Sequence, residues 1–142
     1  MKKLATLLII TTTVALVNAQ KVQQKDVPAS VQKSFQKQFP TVKDVKWEKE
    51  KDNYEAGFKM NGTETSVLIN TTGNILETER EIDSNSLSAP IKGYVAKNYP
   101  HQKIKGAAKI TDDKGVVTYE AEINNKDLIF DNKGKFIKEI KD

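Results

Sequence analysis

Few residues in this sequence have the types and spacing that catalysis or metal binding requires. His101 is the only histidine and there is no cysteine, so a zinc site would depend almost entirely on carboxylates, which zinc sites seldom do. A serine nucleophile needs a neighbouring base, and the G-x-S-x-G pattern does not occur. We interpret His101 as a solvated loop residue, and we expect no enzymatic activity and no cofactor.

Two short segments rich in aspartate have some features of calcium loops. Asp112 is followed by Gly115, and Asp131 by Gly134, with polar residues between them. The spacing of an EF-hand and its terminal glutamate are missing from both segments. Hairpin turns explain the two patterns better, and we expect no bound metal.

One pair of carboxylates has a spacing that glycoside hydrolysis could use. Glu120 and Glu122 would lie on one face of a strand, roughly 7 Å apart by strand geometry, as the paired carboxylates of glycosidases do. No other feature indicates a sugar-binding cleft. An exposed acidic strip is therefore the better interpretation.

Trp47, the only tryptophan, has two interpretations. Tryptophan is frequent at binding hot spots, and it is also a common core residue. Val45 shares a face with Trp47 on an alternating strand, but Val42 lies on the opposite face. The alternation therefore leaves open whether Trp47 faces the core or a binding surface.

These residues must be positioned by a repeated unit, because the sequence aligns with itself. Residues 27–40 match residues 87–100 at an offset of 60, with Val31 aligned to Ile91. The offset then drifts to 65 and returns to 61, which predicts hairpins of different length in the two halves. The remaining aligned positions are Phe35 with Val95, Phe39 with Tyr99, Pro40 with Pro100, residues 54–56 with 119–121, and residues 70–73 with 131–134.

Each half begins with a predicted helix. Val31 and Phe35 recur at helical spacing, as Ile91 and Val95 do in the second half. We expect Pro28 and Pro90 in the first turns, Ser88 as an N-cap, and Pro40 and Pro100 as helix terminators; all five residues are read from the sequence alone.

After each helix the apolar period becomes two, which is typical of antiparallel strands with one buried face. Tyr54, Ala56 and Phe58 alternate with polar residues, and turn signals containing glycine or asparagine separate the strands.

The predicted fold class is therefore α+β. We predict two tandem repeats, each one helix followed by a four-stranded antiparallel sheet, with both helices on one sheet face and an open face on the other. The predicted strands are 42–50, 53–61, 64–70 and 74–82, then 102–111, 116–124, 126–131 and 135–141.

The N-terminus has the three parts of a secretory signal. Lys2 and Lys3 precede an apolar stretch, and Ala19 ends a small-residue cleavage site. We predict cleavage after Ala19 and export to the periplasm or beyond, with no membrane anchor. The predicted organisation is a signal peptide at 1–19, a polar tail at 20–26, repeat 1 at 27–83, a linker at 84–86 and repeat 2 at 87–142.

The charge of the chain argues against nucleic-acid binding. Removal of Lys2 and Lys3 lowers the net charge from +4 to +2, and Arg80 is the only arginine. Nucleic-acid binders show clustered basic faces and use arginine for phosphate and base contacts. We expect no nucleic acid as a partner.

The order of these segments resembles the exported PepSY-like proteins, which are related in fold to the β-lactamase inhibitor protein. The resemblance rests on a helix ending in Phe39 and Pro40, a strand with Trp47, a strand with Tyr54, and the turn at 70–73. It implies tandem helix-and-sheet modules, no enzymatic activity, and binding or restraint of a secreted hydrolase through an open sheet face. Repeat 2 departs from the pattern because Ala107 replaces the tryptophan.

The predicted function is that of an exported, non-enzymatic binding protein whose open sheet face holds another exported protein. The alternative is a carrier of a small ligand or ion, with a pocket between helices and sheet. The oligomeric state stays open. The candidate protein-binding residues are Lys46, Trp47, Glu48, Glu55 and Lys59 in repeat 1, and Thr118, Glu120 and Glu122 in repeat 2.

Overall fold

The computed structural model describes residues 19–141. The signal peptide predicted for residues 1–19 therefore lies outside the described residues, apart from Ala19 itself. In residues 19–141 no helix combines the length and the apolar character that crossing a membrane requires.

Residues 19–141 fold into two α-helices and nine strands. Two short 3-10 helices, Gln24–Asp26 and Ser84–Ser86, each precede one α-helix. The helices are α1, Ala29–Gln38, and α2, Ala89–Asn98. The strands are β1 Gln20–Val22, β2 Lys46–Glu50, β3 Asn53–Met60, β4 Thr63–Asn70, β5 Ile75–Ile82, β6 Gly106–Asp112, β7 Val117–Ile123, β8 Lys126–Asp131 and β9 Phe136–Lys141.

Both helices follow the sequence pattern, with small differences at the ends. Val31 and Phe35 are the buried residues of α1, and Ile91 and Val95 are those of α2. Each helix ends two residues before the proline that was expected to stop it, since the residue preceding proline is excluded from helical geometry. Pro28 is the N-cap of α1, whereas we expected it in the first turn. Ser88 is the N-cap of α2, as expected, but its side chain makes no capping hydrogen bond.

The sheet differs from the predicted layout of four strands per repeat. All nine strands form one antiparallel sheet in chain order, from β1 to β9. The expected polar tail contains β1, which pairs with β2 through Val22 opposite Trp47. The expected linker contains the second 3-10 helix, Ser84–Ser86.

Strand β5 belongs to both repeats, which explains the odd number of strands. In the first repeat Gln20 pairs with Lys49, and in the second Arg80 pairs with Lys109. Both positions are shifted by the same 60 residues that relate the helices. The C-terminal part of β5 therefore pairs with β6 as β1 pairs with β2. The N-terminal part of β5 is the last strand of repeat 1 and pairs with β4.

Unequal hairpins account for the drifting offset. In repeat 1 the pair Phe58 and Thr65 is followed by further pairing out to Met60 and Thr63. In repeat 2 the equivalent pair, Ile123 and Lys126, is the last one before the turn. The hairpin of repeat 1 is longer by four residues, which returns the offset from 65 to 61.

Two apolar cores lie on the same side of the sheet, one under each helix. In the first, Phe35 packs against Trp47 and Phe58 with ring centroids 5.4 and 5.2 Å apart. In the second, Ile91 and Val95 pack on β6 to β8. The opposite sheet face has no helix over it in the described part of the chain.

Candidate functional site

The uncovered face of the sheet, called here the open face, is strongly acidic. Strand alternation places every second residue on it, and the pairing register carries the pattern from β2 to β8. A few lysines, including Lys46 and Lys59, share this face. Its acidic members are Glu48, Glu50, Glu55, Glu64, Glu77, Glu79, Glu81, Asp112, Glu120, Glu122 and Asp127.

A depression of about 420 Å³ lies in the middle of the open face. Its lining comes from five adjacent strands, β3 to β7, and includes Glu55, Glu79 and Glu120. Gly57 and Gly106 also line it, so positions without side chains lie among long glutamate side chains. The open face is therefore concave at its centre.

Apolar residues form a floor beneath the carboxylates. Ala108, Ile110 and Ile129 lie on the open face, yet only 4%, 9% and 6% of their surfaces are exposed. Because no helix among residues 19–141 covers them, we infer that the longer side chains around them shield them from water. The open face thus combines an apolar floor with charged side chains above it.

The register places like charges directly opposite one another. Glu48 pairs with Glu55 across β2 and β3, and Glu77 pairs with Asp112 across β5 and β6. Directly opposite like charges destabilise a sheet. These two opposed pairs therefore carry an electrostatic cost, whereas Lys59 and Glu64 form an exposed ion pair of 3.3 Å on the same face.

Burial and mutual repulsion shift the acidities of the central glutamates. Burial, followed by the charges of Glu55 and Glu77, raises the pKa of Glu79 from 4.5 to about 7. The pKa of Glu55 is also raised, mainly by burial and then by Glu50 and Glu48. That of Glu77 is raised by burial and by Glu50. The negative charge of the open face consequently depends on pH near neutrality.

The structure brings most of the predicted binding residues to this face and removes one of them. Lys46, Glu48, Glu55 and Lys59 lie on the open face of repeat 1, and Thr118, Glu120 and Glu122 lie on that of repeat 2. Trp47 does not: it faces α1, and only 5% of its surface is exposed.

The point at which β2 begins explains why the sequence alternation left the position of Trp47 open. β2 begins at Lys46, so Val42 and Val45 lie in the preceding loop and carry no information about strand alternation. The indole packs edge-on against Phe35. Trp47 is therefore a core residue, and it is removed from the candidate site.

The sequence interpretation predicted the central strand at 74–82 but left its glutamates out of the candidate site. Glu77, Glu79 and Glu81 of β5 lie on the open face between the two repeats. Their alternation with Thr78 and Arg80 was a readable signal. It was obscured because a bulge beside Ile75 puts that residue opposite Ile69 and breaks the alternation at the start of β5.

The aspartate-rich turns are explained by backbone hydrogen bonds. Asp112 Oδ1 accepts from the N–H groups of Lys114 and Val116, at 2.9 and 2.8 Å. Asp131 Oδ1 makes the equivalent bonds in its own turn. Within residues 19–141 no group of three or more acidic, histidine or cysteine side chains is arranged to hold a metal ion.

The structure therefore defines a tandem-repeat α+β protein with one helix-covered face and one concave, acidic face. A family model described as "Putative beta-lactamase-inhibitor-like, PepSY-like" matches residues 15–77 and again residues 59–138. The chain belongs to this PepSY-like family. The two matches overlap from late β3 into β5, where the repeats join.

Solved structures from Bacteroides have the same fold. A DUF2874 family protein of Bacteroides uniformis is 20% identical, with a TM-score of 0.70, 80% of this chain covered and 88% of that chain. A BLIP-like protein of Bacteroides fragilis is 21% identical, with a TM-score of 0.62 and coverages of 80% and 86%. A protein of Bacteroides eggerthii described as "putative periplasmic" is 18% identical, with a TM-score of 0.71 and coverages of 81% and 88%. No curated protein matches the chain.

Proposed function

We propose that this chain is an exported, non-enzymatic binding protein that holds a basic surface of another exported protein against its open face. The observation that carries the proposal is the depression of about 420 Å³, which glutamates from several strands line, together with the buried apolar residues Ala108, Ile110 and Ile129 on the same face. Surfaces of this kind, apolar at the centre and charged around it, suit protein partners.

The charge of the partner follows from the charge of the face. Directly opposed glutamates such as Glu48 and Glu55 repel each other in the free protein. Lysine or arginine side chains of a partner would relieve that repulsion and would be steered towards the face over long range. The expected partner therefore presents basic residues around an apolar contact.

A secreted or periplasmic hydrolase is the partner class that the family relationship favours. The family description contains the words "beta-lactamase-inhibitor-like", and one structure of the same fold is described as BLIP-like. Export rests on the N-terminal pattern of residues 1–19, and a periplasmic location agrees with the description of the Bacteroides eggerthii protein.

A capture experiment with matched variants tests this function. The mature chain, residues 20–142, is immobilised and exposed to periplasmic and secreted extracts of the source cells. Beside it run a face variant, Glu81→Lys with Glu122→Lys, and a control with the same charge change off the face, Asp26→Lys with Asp113→Lys. All four positions are exposed.

The expected result is a protein that is retained by the wild-type and control columns and lost from the face variant. If that protein is a hydrolase, its activity is measured with and without the captured chain. Equal retention on all three columns, or loss on both variant columns alike, would contradict the placement of the binding surface.

A small-ligand function is supported by a different observation. A cavity of about 420 Å³ lies at the end of α1, on the helix-covered face. It is separated from the open face by the sheet, so the two functions can be tested independently.

A further inference from the structure

The helix-covered face of the sheet has an uncovered strip along its centre. α1 packs over β2 to β4 and α2 over β6 to β8, and the two buried cores have no residue in common. Ile75 and Ile82, near the two ends of β5, pack against the first and the second core. Between them, Thr78 and Arg80 point to the same side in the pairing with β4, and Arg80 is exposed. The middle of β5 therefore lies in a furrow between the two cores.

A cavity of about 420 Å³ opens from this furrow beside the end of α1. Phe39, Met60 and Ile75 provide its apolar wall, and Arg80 provides a guanidinium group. The lining is completed by the polar, uncharged side chains of Gln38, Thr65 and Thr78. Within residues 19–141 no acidic residue lines the cavity, and its volume lies in the range of small-molecule sites, roughly 300–1,000 Å³.

Repeat 2 shows what fills the corresponding space. The offsets of 60 and 61 place Tyr99 at the position of Phe39, Lys126 at that of Thr65 and Glu139 at that of Thr78. Tyr99 Oη donates to Glu139 Oε2 at 2.5 Å, and Lys126 Nζ lies 3.1 Å from Glu139 Oε1. The same lysine lies over the Tyr99 ring, 5.4 Å from its centroid.

In repeat 2 the carboxylate of Glu139 therefore lies against the Lys126 cation and the aromatic residue Tyr99. In repeat 1 the two threonines are shorter than Lys126 and Glu139, and the cavity results. Arg80, which the offset of 61 aligns with Lys141, provides a cation at the cavity, and Phe39 provides an aromatic ring. Repeat 1 therefore has a cation and a ring at this point but no carboxylate among the lining residues.

The charges beside the cavity also indicate an anion. Arg80 pairs directly with Lys109 of β6, so two positive side chains stand opposite each other on one face. The salt bridges in residues 19–141 are Lys59 with Glu64 and Lys126 with Glu139, and neither involves this pair. A bound carboxylate would relieve the repulsion.

We propose that the cavity between α1 and β5 binds a small amphiphilic carboxylate, such as a fatty acid of medium length. The carboxylate lies against the Arg80 guanidinium, which suits planar oxygen anions, and the alkyl chain packs on Phe39, Met60 and Ile75. This site is on the opposite side of the sheet from the open face and does not depend on its function.

Titration calorimetry of the mature chain with decanoate, near pH 7.5, tests the proposal. We expect saturable binding at one site, weaker binding of decanol, and a roughly tenfold or greater loss of decanoate affinity in Arg80→Gln, because a charge-assisted bond is removed. The control Lys138→Gln removes one positive charge from the open-face side of β9 and should bind decanoate as the wild type does.

A second variant tests the location by filling the cavity. Thr78→Glu places a carboxylate where repeat 2 has Glu139 and should abolish decanoate binding, with circular dichroism confirming that the variant is folded. If Thr78→Glu does not fold, the comparison of Arg80→Gln with Lys138→Gln decides. Absent decanoate binding, equal affinity for decanol, equal affinity in Arg80→Gln, or unchanged affinity in folded Thr78→Glu would each overturn the proposal.

Discussion

At Glu79 the sheet holds a carboxyl group whose proton is released near neutral pH. Burial and the neighbouring charges of Glu55 and Glu77 raise its pKa from 4.5 to about 7. Between these values the folded chain binds more protons at this residue than the unfolded chain does. The contribution of Glu79 to the free energy of unfolding therefore falls as the pH rises from about 4.5 to 7.

Replacement of this group by a neutral isostere should remove that part of the pH dependence. Glu79→Gln is expected to unfold with a shallower decline between about pH 4.5 and 7, and to be more stable than the wild type at about pH 8. The difference should be on the order of 2 kcal/mol or less, since solvent screens part of the effect.

Urea unfolding followed by circular dichroism at several pH values measures this difference. Asp26→Asn serves as the control, because it removes an exposed carboxyl group on the other side of the sheet. A Glu79→Gln curve parallel to that of the wild type would show that Glu79 does not titrate in this range.

For Trp47, a position in the core and a position at a binding interface predict opposite experimental results. Its indole is buried against Phe35, and its Nε1–H has no hydrogen-bond partner in residues 19–141. Trp47→Phe keeps an aromatic ring and removes an unpaired donor, so it should cost no more than about 2 kcal/mol, whereas Trp47→Ala should cost about 3–5 kcal/mol.

Both effects are read from urea unfolding, and the capture columns give the matching functional result. Folded Trp47→Phe should retain the same partner as the wild type. Loss of the partner with unchanged stability would place Trp47 at the interface and contradict its core position.

At the scale of elements, the hairpins are held against the helices by close contact. Gly73, in the β4–β5 turn, has a φ of +90°, and a Cβ atom there would lie 2.9 Å from the Ser30 carbonyl oxygen of α1. Gly134 occupies the equivalent turn of repeat 2, with φ +83° and Pro90 Cβ at 2.9 Å. The two repeats thus dock hairpin and helix in the same way.

This contact makes Gly73→Ala more destabilising than a change at a comparable free turn. Gly62 has a φ of +80° and no atom near the position of a Cβ, so Gly62→Ala should cost about 1 kcal/mol from backbone strain alone. Gly73→Ala should cost about 1–3 kcal/mol more because backbone must shift. Equal thermal or urea stability of the two variants would contradict the docking of the turn on α1.

The elements that could be predicted are those with a strong local period. The apolar stripe of Val31 and Phe35 and the alternation from Tyr54 to Phe58 indicated α1 and β3 correctly. The pairing of β1 could not be predicted, because β1 has three residues, two of them polar, and its pairing of Val22 with Trp47 joins residues far apart in the sequence. Non-local pairing of this kind leaves no period in the sequence.

The acidic open face was predictable only in part for a similar reason. Glu55 and Glu120 were assigned to it from the alternation of their own strands. Glu79 was not, because its role comes from the position of β5 at the centre of a continuous sheet. That continuity depends on the register between Glu79 and Ile110, which single-strand patterns do not contain.

At the scale of the whole molecule, the two faces of the sheet differ in charge, which the net charge of the chain does not show. The chain as a whole is basic, at +4, whereas the open face is acidic. On the helix side the central strands carry Arg80 and Lys109. The two faces of this one antiparallel sheet therefore differ in charge along the central strands.

The most direct test of the central claim is the affinity of a short lysine-rich peptide for the mature chain, measured by fluorescence anisotropy. We expect binding that weakens as salt is added and strengthens as the pH rises through about 7, where Glu79 ionises. The face variant Glu81→Lys with Glu122→Lys should bind at least about tenfold more weakly, the effect of losing about 1.4 kcal/mol. The control Asp26→Lys with Asp113→Lys should bind the peptide as the wild type does. If the wild type does not bind the peptide, or if both variants lose affinity equally, the open face is not the binding surface.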